Sequence, residues 1–181
     1  YEIGVRLVGS EMCIRDSLRI QLLGSGTILR EVIAAADILK EEYGVISDIW
    51  SVTSFNELRR EALDATRWNM LHPAEKPKKS YVRSCLEKRE GPVVAATDYM
   101  KIFADQIREF VPGKYKVLGT DGFGRSDTRE KLRQFFEVDR YYVTVAALKS
   151  LAEDGKISPE KVVEAINKYN IDPDKLNPVK V

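Results

Sequence analysis

Residues 119–127 combine the side chains and glycines that a recognition loop would need. They read Gly-Thr-Asp-Gly-Phe-Gly-Arg-Ser-Asp, and the glycines permit backbone angles that other residues avoid. Asp121, Arg125 and Asp127 could pair with one another, or Arg125 could bind a carboxylate or a phosphate. A shaped loop whose polar groups satisfy its own backbone is the simpler interpretation. A recognition or interface role is the alternative.

A second candidate lies at residues 67–73, which read Arg-Trp-Asn-Met-Leu-His-Pro. A tryptophan and a methionine close to a histidine are typical of a packed surface or an interface anchor. Pro73 holds His72 extended, and a histidine can titrate near neutral pH. We expect His72 to be a structural or interface residue rather than a catalytic one.

A third candidate is the turn Gly24-Ser25-Gly26, whose backbone N–H groups could hold an anion. A dinucleotide-binding fingerprint would need glycine where this sequence has Leu29, and no Gly-Lys-Ser/Thr is present for a P-loop. The sequence favours a plain tight turn here, with a phosphate site as the alternative.

Composition excludes several classes of protein. The chain has one histidine and two cysteines, Cys13 and Cys85, without a Cys-x-x-Cys pair, which argues against zinc sites, disulfide frameworks and a Ser-His-Asp hydrolase. Lys plus Arg is 29 and Asp plus Glu is 28, so charge gives no reason to expect nucleic acid or an acidic membrane as a partner. No run of about 18 apolar residues predicts a membrane span. We expect a reducing, cytoplasmic location.

The elements that would position these residues alternate between strand and helix. Strands are predicted at residues 20–23, 46–52, 92–97 and 115–119. Helical periods and capping residues follow each strand, with Ser54, Asp98, Asp127, Asp139 and Ser158 as the predicted caps. Residues 67–79 are predicted to be irregular, because Pro73 and Pro77 break helices.

This pattern predicts a three-layer α/β/α domain with a mainly parallel sheet of four or five strands. The connections after parallel strands line one edge of the sheet, so a ligand or partner surface is expected there. We expect residues 67–72 and 119–127 to share that edge.

Several stretches together resemble one family, the homodimeric bacterial-type pyruvate dehydrogenase E1 components, in their C-terminal, transketolase-like domain. They are Ile20-Gln-Leu-Leu-Gly-Ser-Gly26, Tyr43-Gly, Ser51-Val-Thr-Ser-Phe55, Arg67-Trp-Asn-Met-Leu-His-Pro73, Ala96-Thr-Asp-Tyr-Met-Lys101, Val117-Leu-Gly-Thr-Asp-Gly-Phe-Gly-Arg-Ser-Asp127 and Val145-Ala-Ala-Leu148. The resemblance covers residues 18–181, with a tail from about residue 171. Residues 1–17 do not fit it and resemble a translated sequencing adapter, a genuine lead-in strand being the alternative.

The resemblance implies a thiamine-diphosphate enzyme that decarboxylates pyruvate and reductively acetylates the lipoyl group of the E2 acyltransferase. The family's Mg²⁺ motif, Gly-Asp-Gly, is absent, because Asp121 follows Thr120. In this family the cofactor lies between upstream domains of two subunits, so we expect no catalytic, cofactor-binding or metal-binding residue in this chain.

The implied partners are the upstream E1 domains, a second E1 subunit and E2. The candidate interface or active-site-adjacent residues are Arg67, Trp68, His72, Asp121, Arg125 and Asp127. Two other interpretations stay open: a free-standing α/β module that binds an anion or nucleotide, and the same domain of another thiamine enzyme, such as transketolase or the 2-oxoglutarate E1.

Overall fold

A parallel sheet lies at the centre of the computed structural model, which describes residues 17–181. Its strands are β1 (Leu18–Gly24), β2 (Val45–Ser51), β3 (Val93–Ala96) and β4 (Tyr115–Leu118). In the described part of the chain the sheet has four strands in the order β2-β1-β3-β4, and every pairing is parallel. The predicted parallel sheet is confirmed, with each strand at its predicted place in the sequence.

Helices follow the strands. The described chain contains α1 (Leu29–Tyr43), α2 (Phe55–Leu71), α3 (Tyr81–Leu86), α4 (Lys101–Asp105), α5 (Arg129–Phe135), α6 (Arg140–Glu153) and α7 (Pro159–Lys168). Short 3₁₀ turns at Gly26–Ile28, Arg108–Phe110 and Pro178–Lys180 complete the described structure.

The two faces of the sheet carry separate apolar clusters, because successive residues of a strand point to opposite faces. Ile20 and Leu22 of β1 pack with α1, α6 and α7. Leu23 belongs to the other cluster, which includes residues of α2, α3 and α4. Burying each such side chain stabilises the fold by roughly 1.5–3 kcal/mol. The predicted three-layer α/β/α architecture is therefore confirmed.

Several predicted helix ends are confirmed. The Ser54 hydroxyl accepts a hydrogen bond from Glu57 N at 3.2 Å at the start of α2. The Asp139 carboxylate accepts from two backbone N–H groups in the first turn of α6, and Ser158 precedes Pro159 at the start of α7. Gly44 ends α1 in the left-handed conformation, with φ of 64°.

Helix α2 is longer than predicted. Residues 67–71, which were predicted to be irregular, are helical and form the C-terminal end of α2 at Leu71. The reason is that Pro73 disfavours helical angles mainly at the residue before it, His72, and leaves earlier residues free to continue the helix.

Two other capping predictions are wrong. Asp98 does not begin α4, since that helix starts at Lys101 and ends after five residues, before a separate 3₁₀ turn. Helix α5 is capped by Thr128 rather than Asp127, because Thr128 has extended angles and its hydroxyl accepts from Lys131 N.

The predicted apolar face of α6, at Tyr141, Val145, Leu148 and Ala152, is confirmed except at Tyr141. Leu148 is buried and Val145 and Ala152 pack against the core, but Tyr141 is 41% exposed. Val143, Ala147 and Leu151, outside that face, are buried as well. Helix α6 packs against α1, α7, β3 and β4, so its apolar side chains do not follow a single stripe.

No helix within residues 17–181 is long and apolar enough to cross a membrane. The prediction that residues 1–17 are a foreign lead-in falls almost wholly outside the described residues.

Candidate functional site

The segments that follow β1 and β3 meet at the carboxyl edge of the sheet. The Ser25 hydroxyl donates to Thr97 Oγ1 at 2.8 Å, and the Thr27 hydroxyl donates to Asp98 Oδ2 at 3.2 Å. Gly26 has φ of +55°, and a Cβ there would lie 2.8 Å from Asp98 Oδ1. The positive φ favours glycine, and a side chain at this position would displace the Asp98 carboxylate. The carboxylate beside this turn would repel an anion, so the geometry favours the tight turn over a phosphate site at residues 24–26.

Asp121 caps the N-terminus of α4 although it lies in the loop after β4. Its Oδ1 accepts from Lys101 N at 2.8 Å, while Met100, in the N-cap position, makes no side-chain cap. Thr120 N donates to Tyr99 O at 2.9 Å, which fixes the approach of the two segments. Because an isolated N-terminal N–H needs an acceptor, Asp121 has a structural role that its place in a loop does not reveal.

Arg125 and Asp127 make contacts other than the mutual pairing that the sequence allows. The Arg125 guanidinium lies over the ring of Phe135, 4.5 Å from its centroid. Asp127 Oδ1 accepts from Thr128 N at 2.7 Å and lies 3.9 Å from Lys131 Nζ. Both side chains stay on the exposed surface of the loop.

A basic depression of about 370 Å³ lies beside this loop, at the same edge of the sheet. It is lined by Thr27, Ile28, Asp98, Thr120, Gly122, Gly124, Arg125, Arg129, Leu132, Arg133, Phe136 and Val138. Segments that follow β1, β3 and β4 therefore share one concave surface with α5.

A buried carboxylate lies behind this depression. Glu31 of α1 accepts from Arg133 Nη1 at 2.8 Å and from Arg140 Nε at 3.0 Å. Burial alone would raise the pKa of the Glu31 carboxyl, but hydrogen bonds from Arg140 and the charges of both arginines hold that pKa below its usual range. Glu31 is therefore ionised and structural at neutral pH.

Sequence reasoning missed Glu31, although a signal was present. Residues 28, 32, 35 and 39 form the buried stripe at and along α1, and position 31 lies on the same face of the helix. A carboxylate on such a stripe needs a cationic partner, which the arginines of α5 and α6 supply.

The far end of α2 carries a stacked cluster. The rings of Trp68 and His72 are 4.4 Å apart and nearly parallel, and Lys78 Nζ lies 4.1 Å from the Trp68 ring centroid. Asn69 Nδ2 donates to Lys78 O, and Asn69 Oδ1 accepts from Lys78 N. Met70 remains 70% exposed on this ordered support.

The structure separates the two groups of candidate residues. Asp121, Arg125 and Asp127 belong to the loop after β4, at the carboxyl edge. Helix α2 starts at the carboxyl edge, and Trp68 is about 20 Å further along its axis, at 1.5 Å per residue. Arg67 and His72 lie at that far end too, so the expected single edge is replaced by two surfaces.

Within residues 17–181, no group of three or more His, Cys, Asp or Glu side chains is arranged to hold a metal ion. The Asp121 carboxylate, the nearest match to the family's metal motif, is engaged by Lys101.

Comparisons with known proteins agree with this fold. The "Pyruvate dehydrogenase E1 component" of Cupriavidus necator is 64% identical over 163 residues, which are 90% of this chain and 18% of the relative. The protein of the same name from Escherichia coli K12 is 58% identical over 161 residues, again 18% of its length. A solved structure described as a split-gene transketolase, in the form of an inactive beta4 tetramer, matches with a TM-score of 0.52 and 17% sequence identity. The match covers 82% of this chain and 47% of that chain.

The chain thus spans about 18% of the length of these curated relatives. The family model for transketolase-like TK C-terminal domains matches residues 8–139. That match begins inside the segment predicted to be foreign, and the boundary at residue 18 stays a prediction. Since the model matches most of the sequence and the structure has the corresponding parallel α/β fold, the chain belongs to the family of transketolase-like C-terminal domains.

Proposed function

We propose that the chain is the C-terminal domain of a pyruvate dehydrogenase E1 component. The observation that carries this proposal is the 64% identity over 163 residues to a protein of that name. A transketolase is a weaker alternative, because the solved split-gene transketolase is only 17% identical. The complete enzyme would decarboxylate pyruvate with thiamine diphosphate and Mg²⁺ and reductively acetylate lipoyl-E2 in the cytoplasm.

The residues of this chain do not fit the cofactor that the resemblance implies. The stretch most similar to the family's metal motif reads Thr120-Asp121-Gly122, without the first glycine, and its Asp121 carboxylate accepts from the backbone of Lys101. Moving that carboxylate to a Mg²⁺ ion would leave the first N–H of α4 without its acceptor. We therefore assign thiamine diphosphate and Mg²⁺ to the upstream domains, and a non-catalytic, assembly role to residues 18–181.

The far end of α2 is the surface we assign to assembly. Met70 and Leu71 are 70% and 52% exposed, beside the stacked pair of Trp68 and His72. Aromatic, methionine and arginine side chains are enriched at protein interfaces, and Arg67 is adjacent. The partner here would be an upstream E1 domain, the second E1 subunit or E2. At the second surface, the loop after β4, the Asp121 carboxylate is already hydrogen-bonded to the backbone of Lys101. Arg125 and Asp127 are therefore the residues of that loop available to contact a partner.

A chimera tests the proposal. Residues 18–181 replace the matching region of the Cupriavidus necator relative, and pyruvate decarboxylation is measured with thiamine diphosphate and Mg²⁺, followed by acetyl transfer to lipoyl-E2. We expect the chimera to be active and the isolated chain to be inactive. Decarboxylation by the isolated chain would overturn the non-catalytic role. A folded, dimeric but inactive chimera would contradict the functional assignment.

The assembly surface is tested in the same chimera with Met70→Asp. We expect a charge at this exposed apolar position to weaken subunit association, measured by sedimentation. Ile33→Asp is the matched control, since Ile33 is 44% exposed on α1. Equal association of the two variants would exclude the far end of α2 as a contact between the two E1 subunits.

A further inference from the structure

The basic depression lies at the switch point of the sheet. From β1 the chain leaves to one face through α1, and from the adjacent β3 it leaves to the opposite face through α4. Diverging connections open a crevice outside the carboxyl ends of two such strands, where open α/β sheets bind ligands. Thr27, which follows β1, and Asp98, which follows β3, both line the depression.

The side chains that line this depression carry a net positive charge. Arg133 is engaged by Glu31. Within residues 17–181, neither Arg125 nor Arg129 has a carboxylate within ion-pairing distance; Arg125 instead lies against the ring of Phe135. Two guanidinium groups therefore face the depression with their hydrogen-bonding capacity unused by acidic side chains.

The opposite wall of the depression has a different chemistry. The carboxylate of Asp98 already accepts from the Thr27 hydroxyl, and the Thr120 hydroxyl donates to Asp98 O at 2.7 Å. Asp98 would repel an anion placed near the turn after β1, so an anionic group would lie on the side of α5. The oxygen atoms of Thr27, Asp98 and Thr120 suit a hydroxyl-bearing neighbour of that group.

We propose that the depression at the switch point binds a small, hydroxyl-bearing phosphate monoester, with Arg125 and Arg129 holding the phosphate. Guanidinium groups bind phosphate through paired N–H···O bonds, which makes arginine suited to this role. The depression, at about 370 Å³, is within the usual size range for small-molecule sites. The proposal does not depend on the enzymatic function proposed above.

Binding to the purified 181-residue chain tests the proposal. Amide chemical shifts are followed during titration with β-glycerol phosphate or inorganic phosphate, at an ionic strength held constant with NaCl, because salt screens exposed charges. We expect saturable shifts at residues lining the depression. Arg125→Gln and Arg129→Gln should each weaken binding by about tenfold, the loss expected for a charge-assisted hydrogen bond.

Arg59→Gln is the matched control, since Arg59 is exposed on α2 and lines a different surface. Its affinity should equal that of the unaltered chain. No saturable shift, or an equal loss in the Arg59 variant, would overturn the proposal. If β-glycerol phosphate binds more tightly than inorganic phosphate, the hydroxyl-bearing organic group contributes to binding as proposed. If the two bind equally, the proposal for the organic group is overturned and the phosphate site is supported.

Discussion

The buried carboxylate of Glu31 accepts two hydrogen bonds to the same oxygen from Arg140, one from the backbone N–H at 3.1 Å and one from Nε at 3.0 Å. Arg133 donates to the other oxygen at 2.8 Å. One carboxylate on α1 therefore joins the end of α5 and the start of α6, next to the basic depression. Without it, two arginines would lose the acceptor that fixes them.

We predict that Glu31→Gln lowers the free energy of unfolding by about 2 kcal/mol. Breaking a buried ion pair by removing one partner costs more than this, but Arg140 is partly exposed and water compensates part of the loss. Urea unfolding measures the change. Glu41→Gln, an exposed position on the same helix, is the control and should change stability by less than about 0.5 kcal/mol.

The advantage of Glu31 over glutamine should depend on pH. The pKa of Glu31 is lowered in the folded state from its ordinary value of 4.5. The stability that this provides is fully present above pH 4.5 and is lost as pH falls through the lower folded pKa. Burial raises the pKa of the neighbouring Asp139 carboxyl, so Asp139 makes stability change with pH in the opposite direction. This residue is present both in the unaltered chain and in the Glu31→Gln variant. If the difference in stability between the unaltered chain and the Glu31→Gln variant stays constant down to about pH 3, the prediction is contradicted.

Much of the fold follows from local sequence. The strands are short apolar runs bounded by glycine or polar residues, and Ser54, Asp139 and Gly44 act at helix ends through contacts within a few residues. Such local signals need no knowledge of the tertiary structure. The extent to which the surface of α6 is buried could not be predicted in this way, because helices and strands distant in sequence cover several of its sides.

The candidate site was harder to predict, because its contacts are long-range. Asp121 caps a helix that begins 20 positions earlier, and Arg140 pairs with a carboxylate 109 positions away. Buried Gln21 donates to Asp48 and accepts from Trp50, a network that no spacing rule indicates. The end of α2 differs from the prediction for a local reason, because Pro73 restricts the backbone of His72 and not of the residues before it.

Asp121→Ala should destabilise the chain by about 1 kcal/mol, because the first N–H of α4 then loses its acceptor. Asp121→Asn keeps a side-chain oxygen and should cost less. Asp127→Ala is the control, since Asp127 is exposed and bonds only its neighbour's N–H and, more distantly, Lys131. Urea unfolding of the three variants gives the comparison, and equal losses at both positions would exclude the capping role.

A pair of glycines separates backbone strain from steric overlap. Both Gly91 and Gly113 have positive φ, at +90° and +76°, which alanine adopts at a cost of about 1 kcal/mol. A Cβ at Gly91 would lie 1.9 Å from Arg19 O in β1, whereas a Cβ at Gly113 would meet nothing within 4 Å. Gly113→Ala should therefore cost about 1 kcal/mol and Gly91→Ala at least about 3 kcal/mol on urea unfolding. Similar losses would show that the turn before β3 can move away from β1.

Asn69→Ala should release the loop at residues 72–80 without unfolding the domain. Asn69 makes two hydrogen bonds to the backbone of Lys78, at 2.9 and 2.7 Å, and these hold Lys78 against Trp68. Losing both should make local opening roughly thirtyfold more frequent, at about 1 kcal/mol for each bond. Trypsin should then cut faster after Lys78 and Lys79, detected by mass spectrometry of the fragments. Asn56→Ala, an exposed asparagine at the start of α2, is the control; cleavage that rises equally in both variants would show that Asn69 does not hold this loop.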